Sequence, residues 1–159
     1  MKKIAVMGKA ELYAELLMQA RGLLHDEHDL VANAANFSSL LFHSLPDLNW
    51  VGFYLLKDGE LLVGPFQGKP ACVHIALGKG VCGTAARTRE TQVVPDVNQF
   101  PGHIFCDGDS LSELVVPLMK RDGTLIGVLD LDSPKLARFD QEDRKGLEAL
   151  ANVFMDSLK

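Results

Sequence analysis

The sequence predicts an α+β domain, an antiparallel sheet covered by helices. Three observations carry that prediction. Apolar residues recur at helical spacing at both ends of the chain. Short runs rich in aromatic and aliphatic residues lie between them. Two Asp-Gly pairs, Asp58-Gly59 and Asp122-Gly123, join four of those runs as hairpins, which makes the joined strands antiparallel. With 159 residues, 47% apolar and 23% charged, the chain is a single domain, residues 1–159, with material for a real core.

The elements follow in order. Leu12, Leu16, Leu17, Ala20, Leu23 and Leu24 predict a helix over residues 9–24. The polar run His25 to Asp29 breaks it and offers Asp26 or Asp29 as the next N-cap. A second helix, carrying Leu30, Val31, Ala34, Phe37, Leu40 and Leu41, stops at Leu45 before Pro46, because proline disfavours helical backbone in the preceding residue. Trp50 to Leu56 reads as a strand, and Leu61 to Val63 as its hairpin partner. Gly64 to Pro70 reads as a turn-rich loop. Ala71 to Ile75 reads as a short strand with Cys72 and His74 on one face. The Gly-rich stretch Gly78 to Thr84 leads into a short helix over residues 85–87, and Thr91 to Val94 is a further strand. Residues 95–110 form a long irregular segment, a length that in compact domains marks function or disorder. Strands Glu113–Met119 and Leu125–Leu131 make the second hairpin. Asp140 caps a last helix, about Gln141 to Leu158, with Leu147, Leu150, Ala151, Phe154 and Leu158 buried.

Composition narrows the function. The formal net charge is -5 and no basic run occurs, which argues against nucleic acid as a partner. No stretch approaches the ~18 apolar residues of a membrane span. The apolar run near Met1 is too short for a signal peptide, so the protein is expected in the cytoplasm. Three cysteines without an export signal do not make a disulfide framework. They are core thiols, metal ligands or redox groups.

The stretch from Val94 to Ser133 concentrates the chemistry. Cys106 lies in a polar loop three residues after His103. It reads either as a reactive thiolate helped by that histidine or as an inert surface cysteine. Cys72 and Cys82 offer second thiols that could close a disulfide on an oxidised Cys106. Cys82, between Val81 and Gly83 at a helix start, reads rather as a small core residue. Cys72-x-His74 with His103-x-x-Cys106 has the residue types of a zinc site, but its spacing matches no zinc module, so no metal is expected. Gly78-x-Gly80-x-x-Gly83 spells the dinucleotide fingerprint without the βαβ context that it needs. It reads as a tight turn whose backbone amides could face a carboxylate. Asp130 and Asp132 share a strand face, with Glu113 at the start of the partner strand. Carboxyls crowded in a partly dry site cannot all ionise, and one that stays neutral can donate a proton. The alternative is that Asp132-Ser133-Pro134 simply ends the strand and Glu113 is solvated. Trp50, Gly52 and Tyr54 share a face, so both rings either pack in the core or wall one pocket.

Six segments together resemble one family: Asn49 to Tyr54, Gly64 to Cys72, Gly78 to Thr84, Pro101 to Asp107, Ser112 to Pro117 and Gly127 to Ser133. The chain is similar, from its first helix to its last, to the free methionine-(R)-sulfoxide reductases, which are stand-alone GAF domains. The resemblance implies a six-stranded antiparallel sheet with helices on both faces, and a homodimer formed through the terminal helices. It implies that Cys106 is the nucleophile, Cys72 the main resolving thiol and Cys82 a participant in disulfide exchange. Glu113, Asp130 and Asp132 would hold the sulfoxide oxygen, and Trp50 and Tyr54 the methyl-sulfur end. It further implies free methionine sulfoxide as substrate, thioredoxin or another dithiol as reductant, and no cofactor. The chain departs from the family pattern at Phe105, where a small residue is expected, and at Leu114, where isoleucine is usual. A non-catalytic ligand-sensing GAF domain and a metal-binding regulatory domain are the alternative classes.

Overall fold

A computed structural model describes residues 8–104, 106 and 108–158. The described chain runs α1 (Lys9–Leu23), α2 (Leu30–Ser44), β1 (Trp50–Lys57), β2 (Glu60–Gly68), β3 (His74–Ala76), α3 (Gly80–Thr88), β4 (Gln92–Val94), a 3-10 turn (Val97–Gln99), β5 (Ser112–Met119), β6 (Leu125–Ser133) and α4 (Gln141–Asp156). The six strands form one antiparallel sheet in the order β3-β2-β1-β6-β5-β4. Helices cover both faces, as expected.

Side-chain alternation divides the sheet into two faces with different work. Val51 and Phe53 of β1, Leu114, Val116 and Leu118 of β5, and Leu129 and Leu131 of β6 point to one side. There they meet α1, α2 and α4 in the main core. Phe37, Phe53 and Phe154 form its centre, with ring centroids 4.6 to 6.1 Å apart. The alternate residues face the other side, where α3 covers part of the sheet and leaves the rest open.

The helices begin where their caps allow. Asp29, rather than Asp26, caps α2, accepting from Ala32 N at 2.9 Å. Asp140 caps α4 by accepting from Glu142 N and Asp143 N. Asp143 then does more than close the cap. It is 1% exposed and accepts from Tyr13 Oη at 2.7 Å and Lys9 Nζ at 2.6 Å, with Arg138 Nη1 at 3.3 Å. These contacts lock the start of α1 onto the start of α4. The helical stripe read from leucines omits Tyr13, which is buried, and includes Leu23, which is 42% exposed.

Three local expectations need correction. β2 continues through Gly64 to Gly68, where a loop is expected. A register shift opposite Gly52 and Tyr54 lets the strand pass Pro65 and resume pairing, Phe66 with Gly52 and Gln67 with Val51. Gly52 has no side chain for a reason of space: a Cβ there would lie 2.2 Å from Phe66 Cβ. The third strand starts at His74, so Cys72 precedes it and does not alternate with His74. α3 begins at Gly80, so Cys82 and Gly83 lie inside the helix rather than before it. Gly83 allows the close approach of β3 to this helix, since a Cβ would sit 2.5 Å from Ala76 O. The Gly-x-Gly-x-x-Gly run is therefore a strand-to-helix junction.

A pocket lined by thiols, carboxyls and stacked rings

The open side of the sheet carries a pocket lined by Trp50, Tyr54, Ala71, Lys79, Cys82, His103, Cys106, Ser110, Glu113, Asp130 and Asp132, among others. Register explains the gathering. Trp50 of β1 pairs with Asp132 of β6, which pairs with Glu113 of β5. One step along, Gly52 pairs with Asp130. Antiparallel partners share a face, so one row across three strands delivers an indole and two carboxyls to the same floor. Glu113, Asp130 and Asp132 are all buried, at 7%, 5% and 9% exposure.

The aromatic wall is continuous. Trp50 stacks on Tyr54 with centroids 5.8 Å apart and on Phe66 at 5.0 Å. Phe66 reaches that position through the space at Gly52. It escapes a sequence reading because the Gly- and Pro-rich run around it hides the strand. Both pocket rings also use their polar ends. Trp50 Nε1 donates to Lys69 O at 3.1 Å, and Tyr54 Oη donates to Cys72 O at 3.0 Å. The segment leading to Cys72 is thus held by the pocket wall.

Cys72 and Cys106 form a disulfide, with Cα atoms 5.4 Å apart and a sequence separation of 34. Cys82 is a free, buried thiol that donates to Glu113 Oε2 across 3.8 Å. This arrangement separates the residues of the zinc set considered above. Cys72 and Cys106 are bonded to each other, and His74 Nδ1 lies 2.7 Å from Glu60 Oε2 on the sheet edge. Phe105 lies outside the described residues. Lys79, at the N-cap of α3, brings a positive charge to the pocket that sequence reasoning did not single out.

The electrostatics follow from burial. Glu113 is held well above the usual carboxyl range, first by desolvation and then by the charge of Asp130. Asp130 is pushed up in the same way, by burial and then by Asp132. The Cys82 thiol is raised by burial and by the same carboxylates, and Tyr54 by burial above all. Burial lowers His103. The floor of the pocket therefore stores protons on carboxyl groups at pH values where exposed carboxyls have lost them. Such groups can donate a proton to an oxygen that acquires negative charge. One oxygen of Asp130, Oδ1, has no hydrogen-bond partner among the described residues.

Comparison with known proteins agrees with this geometry. The family model described as GAF domain matches residues 32–158. A structure from Burkholderia vietnamiensis, described as a putative GAF sensor protein, is 68% identical, covers 95% of this chain and 96% of its own, and superposes with a TM-score of 0.93. The free methionine-R-sulfoxide reductase of Saccharomyces cerevisiae is 47% identical over 95% of this chain and 88% of its own. The Neisseria meningitidis enzyme of the same name, solved in complex with its substrate, is 44% identical, covers 96% and 92% of the two chains, and has a TM-score of 0.91.

Proposed function

The chain belongs to the GAF domain family, among the free methionine-R-sulfoxide reductases, and we propose that it reduces free L-methionine-(R)-sulfoxide to L-methionine in the pocket described above. The observation that carries this reading is the meeting of Cys106 with three buried carboxyls and an aromatic wall in one cavity. A ligand-sensing domain has no need of a thiol opposite stored protons.

The chemistry divides among these residues. The Cys106 thiolate attacks the sulfoxide sulfur, Glu113 or Asp130 gives a proton to the sulfoxide oxygen, and that oxygen passes to Cys106 Sγ as the new sulfur–sulfur bond breaks. The sulfur of the substrate takes up two electrons and leaves as methionine, and Cys106 becomes a sulfenic acid. The Cys72 thiolate then attacks that sulfur and expels water, closing the Cys72–Cys106 disulfide. An external dithiol, thioredoxin in the cell, reduces the disulfide by exchange. Cys82, hydrogen-bonded to Glu113, stands ready to take part in that exchange. Trp50 and Tyr54 hold the methyl-sulfur end against an apolar wall, and Asp132 completes the oxygen site. The charges around the pocket, Lys79 among them, suit the carboxylate and ammonium ends of a free amino acid. No cofactor or metal enters these steps.

The same reading takes a homodimer formed through the terminal helices, and the exposed Met18, Leu23 and Val31 on α1 and α2 support it. A cytoplasmic location suits a thiol enzyme fed by thioredoxin, and no helix among the described residues is long and apolar enough to cross a membrane.

The deciding experiment follows the loss of both free methionine sulfoxide epimers with dithiothreitol as reductant, in wild type and Cys106→Ser. R-selective turnover that vanishes in the variant supports the reading. A folded, reduced wild type that turns over neither epimer overturns it.

A further inference from the structure

We propose that Cys82 Sγ, Glu113 and Asp130 form a binding site for one thiophilic divalent cation, zinc being the type, and that this cation and the sulfoxide exclude each other from the pocket. The exclusion rests on the reductase reading, while the site itself does not. One donor atom from each residue lies within 4.8 Å of the other two. Cys82 Sγ and Glu113 Oε2 are 3.8 Å apart. Tetrahedral zinc holds sulfur at about 2.3 Å and oxygen at about 2.0 to 2.2 Å, so adjacent donors sit roughly 3.5 Å apart. A contraction of at most about 1.3 Å therefore closes three donors on one ion. They stand on α3, β5 and β6, regular elements packed around the pocket floor rather than on loops.

A second observation points the same way. Asp130 is 5% exposed, lines the pocket, and keeps Oδ1 without a hydrogen-bond partner among the described residues. A buried carboxylate oxygen left in that condition is costly and requires a reason. The Asp130 carboxyl interacts with Glu113, Cys82 and Asp132, yet Oδ1 accepts no hydrogen bond from any of them. Between turnovers, with Cys72 and Cys106 joined, the thiol of Cys82 and both carboxyls are still in place. The donor set is thus complete in the state that lacks a nucleophile. Its composition selects the ion. A thiolate disfavours magnesium and calcium, whereas one sulfur with two carboxylate oxygens suits zinc. The fourth position opens onto the pocket, where water or Asp132 can fill it. This set differs from the Cys72, His74, His103 and Cys106 set raised by the sequence, which the disulfide and the His74–Glu60 contact disperse.

The test uses the full chain in its disulfide form with thiol reductant removed, so that among the cysteines only Cys82 can ligate. Zinc chloride is titrated against a chromophoric chelator. Wild type is expected to retain one zinc per chain. Cys82→Ser and Asp130→Asn should each weaken retention by more than the roughly 10- to 100-fold that loss of a supporting group costs. Wild type that retains no zinc overturns the proposal, as does equal retention by Cys82→Ser, which would place the ion elsewhere. Cobalt chloride supplies a readout on wild type alone: thiolate-to-metal charge-transfer absorption is expected, and its absence overturns the proposal. None of these readings needs turnover, so they stand or fall apart from the reductase assay.

Discussion

Replacing Glu113 by glutamine should make the folded protein more stable as pH rises while disabling the reaction. The reasoning starts from the raised proton affinity of Glu113 in the fold, caused first by burial and then by Asp130. A carboxyl whose folded pKa exceeds its unfolded value keeps its proton in the native state after the unfolded chain has released it. Its full stabilising contribution is present below the unfolded value, near 4.5, and is lost as pH climbs toward the folded value. Within that window one retained proton costs about 1.4 kcal/mol of stability per pH unit. Glutamine has no proton to retain, so the variant escapes this slope. For each pH unit inside that window the gap between variant and wild type should widen by that amount, which for a chain of this size is a relative Tm gain of about 3 to 6 °C per pH unit. Scanning calorimetry of the disulfide form across that range reads the change in the gap, whatever constant offset the amide introduces. Single-turnover sulfoxide reduction by the reduced form should fall by roughly 10²- to 10⁴-fold in the same variant, the range for a lost general acid. A gap that stays flat, or one that closes as pH rises, would show that Glu113 is ionised in the fold and would refute the proton-storage argument.

Two further outcomes test other parts of the molecule. Cys72→Ser given no reductant should release about one methionine per chain and leave on Cys106 a sulfenic acid that a dimedone-type reagent traps, where wild type closes its disulfide instead; a variant with no trappable sulfenic acid that turns over with thioredoxin at the wild-type rate would remove Cys72 from the cycle. Asp143→Asn takes the charge from a buried carboxylate that faces Lys9, Arg138 and Tyr13, and should lower stability by about 3 kcal/mol in urea unfolding; a change below about 0.5 kcal/mol would show that α1 docks on α4 without it.

Local signals made most of the fold legible. The two Asp-Gly turns, the Asp140 cap and the period of the last helix are written within a few residues of one another, and each element stands where they place it. The misses share a cause in distance. β2 extends past Gly64 and Pro65 because strand β1 offers a partner and Gly52 offers room, and neither is visible from β2's own residues. Asp143 gives no local sign of burial, because its partners Tyr13 and Lys9 lie 130 positions and more away in sequence. At the site, period-two alternation was sufficient to bring Asp130 and Asp132 together and to place Trp50 with Tyr54. The pairing of Cys72 with Cys106 was not readable from spacing and came only through likeness to a family. The stack of Phe66 on Trp50 depends on a register shift that no periodicity announces.

The bonds from Trp50 Nε1 to Lys69 O and from Tyr54 Oη to Cys72 O have a consequence for how such a pocket can change. The rings that give the cavity its shape also anchor the backbone that carries one half of the disulfide. A smaller ring at either position, chosen to admit a bulkier sulfoxide, would slacken the segment on which Cys72 rides. Substrate range and recovery of the thiol cannot then be tuned one at a time. A lineage or an engineer seeking a wider cavity has easier ground at Pro70, Ala71 and Ile104, which line the same space and make neither of these two bonds.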